Sequence, residues 1–403
     1  MQHKNFIAFI AARASISLAA SMLSVAIGWH IYQLTGNPFD LALVGLVQII
    51  PILALFMVSG WVVDHFSRRS ILMLSVAADT LLTIGIALVF LADTFDKNAL
   101  FGLLFLHGCV RAFYRPAQEA VLPNIVDADF FPRAVAVSSV AFNSASTSGP
   151  FVAGLLLALF DYHIYWLLAA LTLVATILFG RLPKLLHVRP SGSAMELLMG
   201  GIRFIKASPI VLGCLSLDLF AVLFGSVIAL LPVYAADILH VGPEALGVLR
   251  GMPALGAVTV GLVLTRVPVM RRSGMILFGA LVLFSLSILV FAFSTSFWIS
   301  LAALWLYGGS DTISVNVRIT LIQLATPNEL RGRVGAVNTI FIATSNQMGE
   351  FRAGSVAALA SPVFAVALGG VMALGVALGG YFMFPRIRNL DKVADARNEA
   401  AIL

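Results

Sequence analysis

Twelve long apolar stretches, separated by short polar segments, follow one another from end to end of this chain. Their hydrophobic positions run without the two-residue alternation of a membrane strand, and each run is far longer than a strand needs. The pattern predicts helices near 5–34, 38–62, 70–92, 98–120, 133–159 and 163–183, then near 208–236, 244–265, 274–294, 297–324, 334–358 and 361–384. Crossing the hydrocarbon core takes roughly 20 apolar residues, and every run qualifies. The first run is too long for a signal-peptide core and is expected to be retained. The expected class is an all-α membrane protein of twelve transmembrane helices in two six-helix bundles.

Composition agrees. Of 403 residues, 60% are hydrophobic and 11% charged, and mean hydropathy is +1.00. A water-soluble chain of this size could not cover so much apolar surface. Of 25 Lys and Arg residues, eighteen fall on one side once the N-terminus is placed in the cytoplasm, among them Arg68, Arg69, Arg133, Arg271, Arg272, Arg331 and Arg333. Lys97 lies on the other side, and Arg13, Arg111, Arg115, Arg250, Arg318 and Arg352 fall within spans. The positive-inside rule then predicts cytoplasmic termini. It also accounts for the net charge of +6 without a nucleic-acid partner. Cys109 and Cys214 both fall within spans and give neither a disulfide framework nor a metal spacing.

Expected boundaries are an N-terminal bundle over 1–183, a linker over 184–207, a C-terminal bundle over 208–385 and a cytoplasmic tail over 386–403. In the linker Met195, Leu198, Ile202 and Ile205 recur at helical spacing opposite Glu196, Arg203 and Lys206, which predicts an amphipathic helix on the inner membrane face. The halves echo each other. A shift of 202 brings Gly45 onto Gly247, Pro51 onto Pro253 and Arg69 onto Arg271. A shift of 200 brings Gly108 onto Gly308, and Arg133-Ala-Val-Ala-Val onto Arg333-Val-Gly-Ala-Val. A duplicated six-helix unit predicts a substrate site near the midplane and alternating access by rocking.

The loop after the second span reads Gly60-Trp-Val-Val-Asp64-His-Phe-Ser-Arg68-Arg69. It resembles the signature loop of the major facilitator superfamily, Gly-x-x-x-Asp-Arg-x-Gly-Arg-Arg, with His65 and Ser67 as departures. Asp64, Arg68 and Arg69 at a helix end are suited to hold a cytoplasmic gate through helix termini and carbonyls. The second copy keeps Arg266, Arg271 and Arg272 but lacks the acid. Ser148-Gly149-Pro150 with Gly154 resembles the Gly-Pro element of the fifth helix in antiporters of the superfamily, a hinge in physical terms. Leu217-Asp218-Leu-Phe-Ala-Val-Leu-Phe-Gly225, Pro327-Asn-Glu-Leu-Arg-Gly-Arg333-Val and Ser345-Asn-Gln-Met-Gly-Glu350 resemble the enterobactin-exporter and macrolide-efflux branch. That resemblance implies proton-driven export of a small organic molecule.

Charges inside the membrane are costly and mark cavities or partners. The resemblance implies that helices 1, 4, 7 and 10 line the cavity; these carry Arg13, Arg111 with Arg115, Asp218, and Asp311 with Arg318. Asp218 lies about 15 Å into its helix by the rise per residue, suited to alternate between a proton and substrate; a permanent ion pair with Arg13 is the alternative. Asp311, Ser314 and Arg318 form one polar stripe, and their helical rise of about 10 Å predicts separate partners for Asp311 and Arg318. Arg115 is expected to meet Asp127, Asp129, Glu119 or nearby carbonyls. Glu350, on the face of Asn346, is a second proton candidate and Arg352 points away from it. Asp79 and Arg250 read as bundle-stabilising. The substrate and proton residues expected are thus Arg13, Arg111, Asp218, Asp311, Arg318 and Glu350; the gating and hinge residues are Gly60, Asp64, Arg68, Arg69, Gly149 and Pro150.

No phosphate-binding loop, His-Glu-x-x-His or Gly-x-Ser-x-Gly occurs, so neither an enzyme nor direct ATP drive is expected. The expectation is a monomeric proton antiporter of a bacterial inner membrane, without cofactor or metal, exporting a siderophore or drug-like compound. Arginines in the cavity favour catecholate or carboxylate groups. Translocation of lysophospholipid and efflux of lipophilic cations are the alternatives, and a membrane sensor on the same fold is a third.

Overall fold

The computed structural model describes residues 2–127, 129–183, 194–267 and 272–391. Within them the secondary structure is helical throughout. The first six predicted spans correspond to α1 (Gln2–Thr35), α2 (Pro38–Ala54) continued by α3 (Phe56–His65), α4 (Arg68–Leu91), α5 (Lys97–Ile125), α6 (Phe131–Phe160) and α7 (Ile164–Gly180). After α8 (Ala194–Ala207) come α9 (Pro209–Gly225), the short α10 (Leu231–Val233), α11 (Pro243–Arg266), α12 (Ser273–Phe293), α13 (Phe297–Ala325), α14 (Asn328–Leu359), α15 (Pro362–Met383) and the single turn α16 (Pro385–Arg388).

Two predicted spans are not continuous helices. The second bends by 52° between α2 and α3, at Leu55. The seventh, expected as one helix over 208–236, stops at Gly225, where Ser226 turns to ψ 123°. It resumes as a tight turn over Ile228–Leu230, then α10, then a wide π turn over Tyr234–Ile238. Pro232 cannot donate in that stretch, which prevents a regular ladder. Conversely, Pro150 lies inside an unbroken α6.

Among the described residues, seven stretches are long and apolar enough to cross a membrane, or eight with the bent pair. One of them, Phe131–Gly180, holds both α6 and α7. Helices α5, α13 and α14 fall below that threshold because they carry polar and charged residues along their length, including Arg111, Asp311, Arg318, Glu350 and Arg352. Helix α8 matches the predicted amphipathic linker helix; its partner segment 184–193 lies outside the described residues, as do Arg271 and the tail from 392. Ile205 is buried in an apolar cluster with Val211, Leu215, Leu321 and Val334, and Ile202 packs beside it.

The chain divides into two compact units. The first holds residues 1–36, 43–191 and 241–251; the second holds 37–42, 192–240 and 252–403. In the first, α1 packs along α6 and α7, and α4 along α5 and α7. Its core joins Phe9, Leu72, Val76, Tyr114, Val121 and Phe179. In the second, α12 packs along α13 and α15, and α9 along α14 and α15.

The sequence repeat is also a repeat of contacts. In the first unit, a Cβ at Gly108 of α5 would strike the Gln48 carbonyl and the Pro51 ring of α2. In the second, a Cβ at Gly308 of α13 would strike the backbone of Pro253 in α11. The two matched glycines therefore sit on the two matched prolines, each allowing a close backbone approach. A valine in that space must push helices apart. Gly308→Val is expected to destabilise by about 1–3 kcal/mol, whereas Gly261→Ala, with no neighbour within 4 Å of its added carbon, should leave thermal melting in detergent unchanged.

Candidate functional site

Each unit carries its own cluster of charges. In the second, Arg318 of α13 is 3% exposed and its guanidinium lies 2.6 Å from Asp218 of α9 and 3.6 Å from Asp311 of its own helix. The expected separation of Asp311 from Arg318 does not hold. Helical side chains lean toward the N-terminus, so a long arginine reaches back over the seven-residue rise. The partner of Asp218 is accordingly Arg318 rather than Arg13. The two acids differ in environment: the Asp218 side chain is 16% exposed and that of Asp311 39%. One cation thus faces two carboxylates, close to one and farther from the other. Ser314, on the same stripe, is fully buried with no partner for its hydroxyl.

In the first unit the cluster is cationic. Arg13 of α1 donates to Ser138 Oγ at 3.1 Å and lies 5.3 Å from the centre of the Phe142 ring. Arg111 of α5 donates to Gln48 Oε1 at 3.4 Å. The Nε atoms of both are buried without a hydrogen-bond partner. Arg115 is within electrostatic range of Arg111, Arg13 and Glu119, so Glu119 is the local acid among those expected for it.

The signature loop makes its contacts through backbone carbonyls. Arg68 donates to the Ala120 carbonyl at 2.9 Å, and Arg69 to the carbonyl of Gly180, the last residue of α7. Both arginines extend from the first turn of α4, so the start of that helix is tied to the ends of α5 and α7. Asp64 is half-buried in the last turn of α3. Where the family pattern has arginine, His65 stacks on Trp61 and bonds its carbonyl at 2.8 Å. Gly60 has open space around it. In α6, Gly149 abuts Ser21 of α1, and Gly154 abuts Gly247.

Arg250 donates to the carbonyl and hydroxyl of Ser24, at 2.8 and 2.7 Å. Asn346 bonds the Ile342 carbonyl of its own helix. Glu350 is half-buried on α14, within electrostatic range of Tyr307. Arg352 donates to the carbonyls of Leu223 and Phe224 at 3.2 and 2.7 Å. These carbonyls are freed by the break after Gly225, and a cation at a helix C-terminus complements the dipole.

Two histidines went unread in the sequence. His107 of α5 lies 2.6 Å from Asp79 of α4, both buried; its four-residue spacing from Arg111 was the available signal. His30, near the end of α1, bonds Asp161 and the Tyr165 hydroxyl, both at 3.0 Å. A lone histidine in an apolar run gives no such signal. Among the described residues no cluster could hold a metal ion.

Residues 1–402 match the family described as transmembrane secretion effector, a family of major facilitator transporters. The chain is a major facilitator superfamily protein. Curated relatives include the enterobactin exporter EntS of Shigella boydii serotype 4, 26% identical over 93% of this chain and 91% of the relative. The exporter of the same name from Citrobacter koseri is 25% identical over 91% and 89%. Solved structures with the same fold include a bacterial homologue of the human lysosomal transporter Spinster (TM-score 0.70, 13% identity, 99% of this chain and 98% of that one). The nucleoside transporter NupG scores 0.71 at 12% identity over 95% and 99%. A D-xylose–proton symporter scores 0.68 at 14% identity over 95% and 98%. This major facilitator protein is a transporter of a small molecule, not an enzyme.

The buried ion pair makes a thermodynamic statement. Arg318→Leu leaves the half-buried Asp218 carboxylate without its cation and should cost up to about 3 kcal/mol. Asp218→Leu added to it should restore part of that loss, and a double-mutant cycle on melting temperatures in detergent measures the coupling.

Proposed function

We propose that this protein is a proton antiporter of the bacterial inner membrane that exports an organic anion of the siderophore class. The observation that carries the reading is the arrangement of one buried arginine between two acids in the second unit. Two carboxylates sharing one cation leave one negative charge uncompensated in a low-dielectric setting, and binding a proton removes it. Asp311, more exposed and more loosely paired than Asp218, is the acid that takes the proton. Deprotonated, it accepts hydrogen bonds from substrate hydroxyls instead. Proton and substrate then exclude each other, as exchange requires. Glu350 remains outside this arrangement.

The substrate class follows from the first unit. Arg13 and Arg111 offer donors not satisfied by the protein, a chemistry suited to carboxylate or catecholate groups. Relatives that export enterobactin support the same class. Two six-helix bundles over 1–183 and 208–385, cytoplasmic termini and a monomeric chain complete the reading, with the proton gradient as energy source and no cofactor. The carbonyl bonds of Arg68 and Arg69 support a gating part for the signature loop, with Asp64 at its centre, and the close contacts of Gly149 support a part for that segment of α6 in helix movement.

Flux in proteoliposomes under an imposed proton gradient tests this, with enterobactin offered beside lipophilic cations and a labelled lysophospholipid. Gradient-driven movement of enterobactin is expected. Asp311→Asn should abolish its gradient dependence while leaving exchange of substrate for substrate. Selective movement of the cations or the lipid would overturn the substrate class, and unchanged coupling in Asp311→Asn would remove that acid. For the loop, Asp64→Asn should slow turnover severalfold with substrate affinity retained; an unaltered rate would confine the loop to topology.

A further inference from the structure

Asp79 and His107 meet at 2.6 Å between Oδ1 and Nδ1, with side chains 6% and 3% exposed. Both atoms are buried, and neither has a hydrogen-bond partner elsewhere or in ideal geometry across this contact. Asp79 lies eleven residues past the start of α4, and His107 ten past the start of α5. At 1.5 Å per residue each is about 15–17 Å from its own helix start, and the two helices run in opposite directions through a short connection. Both groups therefore sit near mid-membrane depth, where an ionisable side chain is costly and marks an ion or proton path.

The chemistry of the pair is that of a proton store. Carboxylate with imidazolium holds one transferable proton at zero net charge. Loss of that proton leaves neutral imidazole beside a carboxylate, with one negative charge. Arg111, one turn further along α5, is the cation placed to compensate that deprotonated state. His107, Arg111, Tyr114 and Gln118 recur at i, i+4, i+7 and i+11, which sets them on one face of α5. Tyr114 is within electrostatic range of Asp79, Arg111 and Arg115. Their span of roughly 16 Å along the helix reaches from the pair to the end that basic residues place in the cytoplasm.

Farther along α5 stand Arg115 and Glu119, within electrostatic range of each other, and α2, against which Gly108 is seated, contributes Asp40 in its first turn. Helix α7 contributes Tyr165, bonded to His30. Helix α1 contributes Arg13, bonded to Ser138, and α3 contributes Asp64 and His65 in its last turn. Arg133 stands in the first turn of α6, while Asp161, Tyr162 and His163 form the turn at the opposite ends of these helices.

We propose that the Asp79–His107 pair is a second proton-carrying site, in the first unit, with Arg111 as the fixed cation that offsets its deprotonated state, so that each export cycle moves a proton there besides the one held in the second unit. This rests on the antiport reading given above. The test is the pH gradient that halts net enterobactin flux against a fixed substrate gradient in proteoliposomes, which reports protons per substrate molecule. His107→Gln is expected to insert, to keep substrate-for-substrate exchange within about twofold, and to move one proton fewer per molecule than the wild type.

A halting gradient equal to that of the wild type would overturn the second site, as would loss of exchange together with net flux, the mark of a merely structural pair. If wild-type flux ignores the pH gradient altogether, the antiport reading fails instead, and the second site falls with it. Should His107→Gln fail to insert, nitrogen NMR of selectively labelled wild-type protein reads the imidazole directly. A change of His107 charge between roughly pH 5 and 8, the range in which histidine switches, supports the site, and a fixed charge overturns it.

Discussion

Hydrocarbon offers no water to a charge, so a charge placed there must find its partner within the protein. Much of the arrangement of this transporter can be traced to that constraint. Arg318 meets two acids, Asp79 meets His107, Arg250 meets Ser24, and Arg352 meets the carbonyls released where the seventh span breaks. Except for Asp311, which shares α13 with Arg318, each partner lies on another helix. The same bonds that relieve the burial penalty therefore fix which helices stand side by side, and at what height.

The proposed function rests on charges that are met less fully. Arg13 and Arg111 keep buried donors without protein partners, and the second unit holds two acids for one arginine. A scaffold gains nothing by leaving buried polar atoms unmet, since each costs on the order of 1–3 kcal/mol. A transporter needs such positions, because a site whose charges are already satisfied has nothing to offer a proton or an anion. The imbalance is opposite in the two units, cationic in one and anionic in the other.

Small residues supply the complementary constraint. The duplicated unit preserves a glycine seated on a proline in each half, Gly108 on Pro51 and Gly308 on Pro253. Lipid gives helices little hydrophobic reason to associate, so close backbone approach through small residues takes over that part. Gly154 against Gly247 follows the same logic. Proline does not by itself break a helix here: α6 runs through Pro150 unbroken.

The sequence by itself determined the membrane class, the positions of the spans, the repeat and the family, because these depend on hydropathy and local spacing, which a linear chain displays. It also pointed to Asp218, Asp311 and Arg318, since charges stand out in apolar runs. Only the tertiary structure decided who pairs with whom. Arg318 reaches back to Asp311 because side chains have length and direction that residue counting ignores, and it reaches Asp218 because α9 and α13 pack together. The Asp79–His107 contact joins residues on two helices whose relative rotation no local pattern specifies. Likewise, the carbonyls freed by the break after Gly225 accept from Arg352, which lies more than a hundred residues away.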